Sequence, residues 1–138
     1  MTLLRRLLGE RRGVAAVEFA IACSALIVLT LGVIEASVLG WTQVVLQLTA
    51  SQTARCAGLG TLACSDPVSY AVTTAGNWLF ANAVAAANVT VERNVTCGMA
   101  PGHYVRVTVT THFDGAGMLP PPLNGMQVSA HSCYFTGT

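Results

Sequence analysis

RRGVAAVEFAIACSALIVLTLGVIEA, residues 11–36, is the stretch on which the architecture turns. Two arginines and a glycine lead into an apolar run, 14–34, whose one ionisable side chain is Glu18. As a helix this run reaches about 31 Å at 1.5 Å per residue, which matches a bilayer hydrocarbon core of about 30 Å. A cleaved secretory signal has a shorter apolar core, roughly 7–15 residues, closed by a small-residue site. The run therefore reads as a membrane-spanning helix, with an acid near its beginning that has to be explained.

The charges around the run give a direction. Of 138 residues only 9% are charged, against 53% hydrophobic, where about 25% charged is ordinary for a soluble domain. Arg5, Arg6, Arg11 and Arg12 against Glu10 give residues 1–13 a charge of +3. The remainder, with Arg55, Arg93 and Arg106 against Glu18, Glu35, Asp66, Glu92 and Asp114, carries −2. A basic flank predicts the N-terminus in the cytoplasm and the chain after about residue 40 on the far side of the membrane. A mildly acidic body lacks the basic face that nucleic-acid binding needs, so no nucleic-acid partner is expected.

Beyond the run, Ile34, Val38, Trp41, Val45, Leu48 and Gln52 recur at three- and four-residue steps, which predicts one helix from about 14 to 57 with an amphipathic second part. Gly58 and Gly60 supply a stop. Asp66 followed by Pro67 reads as an N-cap and first helical position, opening a second helix over about 67–86. From Asn88 the period changes to two. NVTVERNVTC places Val89, Val91, Arg93 and Val95 on one side, HYVRVTVTTHF places Val105, Val107 and Val109, and MQVSAHSCYF places Met126, Val128 and Ala130. Alternating β-branched and polar residues are the half-buried strand pattern. GMAPG (98–102) joins the first two strands as a hairpin, and the 114–125 segment, with three consecutive prolines, is a connector or contact loop. The expectation is an α+β chain: a leader over 1–13, a long helix over 14–57 with its transmembrane part at 14–34, and a small outer domain over 58–138. That domain holds a second helix and a three-stranded antiparallel sheet, one face of it covered by helices.

Cys23 lies in the apolar run and reads as a small packing residue. Cys56, Cys64, Cys97 and Cys133 all fall on the predicted outer side, an oxidising compartment, where disulfides form. Four cysteines allow three pairings. Cys56 with Cys64, a short loop, and Cys97 with Cys133, joining two strands, are the favoured pairs over four buried thiols. No zinc-finger spacing occurs. His103, His112 and His131 sit in or beside strands; His131 and Ser132 are adjacent and so point to opposite faces, which prevents a nucleophile–base pair. A metal held by His112, His131 and Cys133 is the alternative use of these residues. No enzymatic activity and no cofactor are expected. Trp41 reads either as an anchor at the outer membrane surface or as a packing residue, and Arg55 as a partner of the helix C-terminal dipole.

Glu18 admits two readings on spacing alone. A charge at the bilayer midplane costs about 3 kcal/mol on insertion scales and less near the edge. If the chain is cut after Gly13, Val14 becomes an amino terminus about 6 Å along the helix axis from Glu18. An ammonium and a carboxylate so placed can pair, within one chain or between staggered neighbours, which offsets the cost of burial. In an uncut anchor, Glu18 would instead sit at headgroup level near Arg11 and Arg12.

Arg-Arg-Gly, then Val-Ala-Ala-Val-Glu-Phe-Ala, then a long aliphatic run ending Gly-Val-Ile-Glu-Ala, resembles the TadE-like family, minor pilins or pseudopilins of the bacterial tight-adherence (Flp-type) pilus. The resemblance continues through Trp41-Thr42-Gln43 and Ala50-Ser51-Gln52-Thr53-Ala54-Arg55, and covers residues 11–57. It implies that a prepilin peptidase cuts between Gly13 and Val14 and reads Glu18 and Phe19. The partners it implies are other pilin subunits, the tight-adherence assembly machinery and the inner membrane. The implied location is the inner membrane, N-terminus cytoplasmic and outer domain periplasmic, with release into an extracellular pilus. The major Flp pilin is much shorter and usually has Tyr in place of Phe19, while adhesin-like members are much longer, so the resemblance implies a TadE- or TadF-type minor subunit. The competing expectation is an uncleaved single-pass anchor with a periplasmic binding domain.

Overall fold

The structure, a computed structural model, describes residues 11–60, 64–79, 84–98, 102–113 and 125–137, with backbone only for Arg11 and Arg12. The leader's first ten residues, the tip of the GMAPG turn and nearly all of the Pro-rich loop lie outside the described residues. Helix α1 spans Arg11–Leu59, and α2 spans Pro67–Gly76. A 3-10 turn at Ala86–Asn88 leads into strands β1 (Val89–Val95), β2 (His103–Phe113) and β3 (Met126–Gly137). The strands form one antiparallel sheet in the order β1-β2-β3. This is the α+β layout expected, with a long helix, a second helix and three strands.

The chain divides into two compact units after Ser37. The first is the apolar part of α1. Its large side chains from Val14 to Ile34 are exposed, Phe19 at 71%. It is the one described helix long and apolar enough to cross a membrane, and so is a candidate membrane anchor. Its hydroxyl side chains are satisfied within the helix. Ser24 Oγ donates to the Ala20 carbonyl at 2.8 Å, and Thr30 Oγ1 to that of Ile27 at 2.9 Å. Bonds of this kind satisfy polar donors without water, as a membrane interior would require.

The second unit, from Val38 onward, builds its core on the remainder of α1. The buried face of the helix runs through Thr42, Val45, Leu46, Thr49, Ala50, Thr53, Ala54 and Ala57. It packs with Val105, Val107 and Val109 of β2, Val128 and Ala130 of β3, and Ala71 and Ala75 of α2. This corrects the stripe expected from the sequence. Of that stripe only Val45 is buried; Trp41 is 52% exposed and Leu48 41%. The physical reason is size. Alanine and threonine let the helix axis approach a sheet surface of β-branched side chains, and the bulky residues are left on the far side. Thr49 and Thr53 bring hydroxyls into this interface that have no hydrogen-bond partner among the described residues.

Cap and turn chemistry fixes the other boundaries. Asp66 is the N-cap of α2, its carboxylate accepting from the amides of Val68 at 3.1 Å and Ser69 at 3.3 Å, with Pro67 in the first turn. The helix ends at Gly76 rather than near 86, with Asn77 as C-cap. Glycine has the lowest helix propensity after proline, and the Asn77 and Leu79 amides close the end onto the carbonyls of Thr73 and Ala75. In β2 the inward positions are Val105, Val107, Val109, Thr111 and Phe113, strict alternation as expected. In β1 the alternation fails. The register shifts between Glu92 and Val95, Asn94 has φ of 57°, and Arg93 is exposed instead of facing the helices. A bulge carrying an asparagine in the left-handed region turns the end of β1 out of line.

Gly60, with φ of 60°, ends α1 and donates to the Cys56 carbonyl at 3.3 Å. Gly58 has a different role, because the Tyr134 ring lies where its Cβ would be. Gly58→Ala is expected to destabilise the second unit by about 1–3 kcal/mol through overpacking, despite alanine's better helix propensity. Gly40→Ala, where a Cβ meets nothing within 4 Å, should be neutral or stabilising. Denaturant melts of the full chain in mild detergent test this, and equal stability of the two variants would contradict the packing account.

Candidate functional site

Gly13, Val14, Glu18 and Phe19 all lie on the exposed surface of the first turns of α1. Val14 and Glu18 are four apart and share a helix face, while Phe19 points about 100° round the axis. The bond between Gly13 and Val14 lies within the described part of α1. A glycine there adds about 1 kcal/mol of helix cost relative to alanine. A carboxylate and an aromatic ring, Glu18 and Phe19, are exposed about one turn further on. Geometry of this kind suits recognition of the segment by another protein.

The second feature is covalent. Disulfides join Cys56 to Cys64 and Cys97 to Cys133, with Cα separations of 5.5 and 6.5 Å; these are the two pairs favoured from the sequence. Cys23 is free. Cys133 stands opposite Arg106 of β2 in the register, and β2 lies between β1 and β3. The Cys97–Cys133 bond therefore ties the end of one edge strand to the other edge strand across the central one. The bulge at Asn94 sends the chain that way. Arg106 secures the crossing, donating to the Thr96 carbonyl at 3.0 Å and lying 3.5 Å from Glu92, its cross-strand partner.

An open basin of about 330 Å³ lies on this outer sheet face, lined by Cys97, Gly98, Arg106, Thr108, His131 and Cys133. The combination of His112, His131 and Cys133 is not assembled. Cys133 is bonded to Cys97, and His112 and His131 stand opposite Gln127 and Thr108 on different parts of the strand pair. Among the described residues no group of three His, Cys, Asp or Glu is placed to hold a metal ion. His131 is exposed and Ser132 half-buried, on opposite faces of β3.

Three residues with clear tasks are not visible in the periodicity. Gln43 and Gln47 donate from α1 to the carbonyls of Ser129 at 3.4 Å and His131 at 3.3 Å, so a glutamine pair one turn apart covers part of the edge of β3. Their i, i+4 spacing is the signal that could reveal them. Trp78 offers its carbonyl to the Trp41 indole at 3.2 Å, a bond within the second unit that ties α1 to the end of α2. Arg55 is exposed and lies before the last turn of α1.

A candidate membrane helix continuous with a disulfide-bonded α+β unit defines a class: a subunit with one N-terminal apolar helix and a small folded head. Residues 13–55 match the model of the family described as TadE-like protein. The match starts at Gly13 and ends within α1, spanning Val14, Glu18 and Phe19, the apolar run and most of the helix face that carries the core. No curated protein and no solved structure matches the chain.

The two disulfides should differ in weight. They close loops with sequence separations of 8 and 36 residues, for which loop-closure entropy gives about 2.5 and about 4 kcal/mol. Replacing Cys97 and Cys133 together by serine should therefore lower the denaturation midpoint more than replacing Cys56 and Cys64. The reverse order in parallel melts would exclude loop entropy as the main source of their stabilisation.

Proposed function

We propose that the chain is a minor pilin, or pseudopilin, of a bacterial tight-adherence pilus, made as a prepilin and cut between Gly13 and Val14. Residues 1–13 are the leader, 14–34 the membrane part of a helix running to about 57, and the rest the outer domain. The observation that carries this reading is the TadE-like match beginning at Gly13, with Glu18 and Phe19 five and six residues on. The peptidase reads that pair in the exposed first turns of α1. After the cut, Val14 carries an ammonium one helical turn from the Glu18 carboxylate. Pairing of the two, within a subunit or with a neighbour leaving the membrane, offsets the cost of an acid in an apolar environment. The alanines and serine at 15, 16, 20, 22, 24 and 25 give neighbouring helices surfaces for close approach. The basic leader lies in the cytoplasm and the disulfide-bonded head in the periplasm, where its bonds form. Partners are the prepilin peptidase, other pilin subunits and the assembly machinery.

The decisive experiment is the mass of the intact protein from its native host, together with its N-terminal peptide. The reading requires a chain beginning at Val14, and requires Gly13→Leu to leave the precursor uncut. A wild-type chain that keeps Arg11, Arg12 and Gly13 would establish the uncleaved anchor instead. Glu18→Ala is expected to insert normally and to reduce piliation severely, scored by electron microscopy of cells. Wild-type piliation in that variant would rule out the pairing role of Glu18.

A further inference from the structure

We propose that the Cys97–Cys133 disulfide is a thiol–disulfide exchange site, opened by a small anionic thiol that enters the basin beside it. The site lies wholly in the second unit and does not depend on how the chain is processed or anchored. Exchange needs a sulfur that a thiolate can reach and a leaving thiolate that its surroundings stabilise. The two disulfides differ in both respects. Cys56 is 7% exposed and belongs to the core, so a thiolate released there would lose its hydration. Cys97 and Cys133 are each half-buried, and both line the open basin on the outer sheet face. At about 330 Å³ the basin admits a small organic thiol. Weight in stability and access to a thiol are separate properties, and this bond combines the longer loop with the more open approach.

The surroundings assign roles to the two sulfurs. Cys97 is followed by Gly98, which is exposed and has open space where a Cβ would stand. Cys97 Sγ is therefore the sulfur approached. Cys133 stands opposite Arg106 in the register, and Arg106 is the charged member of the basin lining. The entering thiolate attacks Cys97 Sγ and a new S–S bond forms. The Cys97–Cys133 bond breaks, and its electron pair leaves on Cys133 Sγ as a thiolate. A second thiolate attacking the external sulfur of the mixed disulfide frees Cys97, so two thiols supply the two electrons and leave as their own disulfide. Return of the Cys133 thiolate onto Cys97 Sγ instead expels the thiol and restores the bond. The guanidinium favours both an anionic entering thiol and the departing thiolate. Glu92, 3.5 Å from Arg106, offsets part of that charge. Once the bond is open, Arg106 still holds the Thr96 carbonyl at 3.0 Å. The end of β1 thus stays on β2 while its covalent tie to β3 is gone.

The test uses the full oxidised chain in mild non-ionic detergent, with the free Cys23 first blocked by iodoacetamide. The chain meets mercaptoethanesulfonate (anionic), mercaptoethanol (neutral) or cysteamine (cationic), is quenched in excess N-ethylmaleimide, and is digested for mass spectrometry. Rates are taken relative to those of the same thiols on a neutral small-molecule disulfide. The expected result is label on Cys97 and Cys133 well before Cys56 and Cys64, with the thiol adduct on Cys97. Mercaptoethanesulfonate should lead cysteamine by about fivefold. Arg106→Gln should abolish that preference. Because it also removes the bond to the Thr96 carbonyl, Glu92→Gln is measured beside it; this variant keeps the guanidinium and should widen the preference. Opening of Cys56–Cys64 first, or of both bonds together at one rate, would overturn the proposal. So would equal relative rates for the three thiols on the wild-type chain, which would leave Cys97–Cys133 an accessible bond that Arg106 does not assist.

Discussion

Everything in the folded head depends on how closely α1 can approach the central strand. A helix lying on a sheet of valines needs a face with little bulk, and Ala50, Ala54 and Ala57, with Thr42, Thr49 and Thr53, provide one. The inward valines of β2 fill the space that these short side chains leave. The same requirement extends to Gly58, where the Tyr134 ring sits against bare backbone. The two unpartnered threonine hydroxyls are tolerated within this constraint: each costs something in desolvation, but threonine's small β-branched shape fits where leucine would hold the helix away. Once the helix is seated, α2 follows through Ala71 and Ala75, and the sheet acquires its covered face.

One helix thus carries two unlike surfaces. Its first part shows large aliphatic side chains all round, and its later part hides small ones. The hydropathy of the chain falls along α1, and serine and threonine hydroxyls on both parts donate to carbonyls three or four residues earlier, at 20, 27, 33 and 38. The uncharged interval between Glu35 and Arg55 carries the transition.

Much of this is readable in the residues alone, for reasons that can be stated. The strands declare themselves through valine and threonine alternation, which only a half-buried strand makes sense of, and the α2 start through Asp66-Pro67, where one carboxylate answers two amides. The long helix follows from the length of the apolar run, and the likeness at residues 13–55 rests on the same segment. Three things are not readable. Apolar periodicity misplaces the buried side of α1 because it weights Trp41 and Leu48 above alanine and threonine, whereas the sheet selects for small volume. A period of two puts Arg93 inward because it cannot foresee a bulge; the left-handed Asn94 is visible only in the backbone. The second helix looks longer than it is because the alanines after Gly76 suit a helix, and termination there depends on local closure at Asn77 and Leu79. The set Gly13, Val14, Glu18 and Phe19 is legible as a motif, since its residues lie within seven positions of one another, while the glutamines on the β3 edge depend on contacts more than 80 residues apart in sequence.

The bond between Cys97 and Cys133 has a mechanical consequence. Tension entering the head through α1 and leaving at any point beyond Cys133 would pass through the sulfur bridge, bypassing the intervening residues, which include all of β2. The 36 residues of separation correspond to about 120 Å of extended chain that load cannot draw out. The central strand, on which α1 is seated, is thereby shielded from pulling, and a tethered head could yield at its helix packing while its sheet keeps its length.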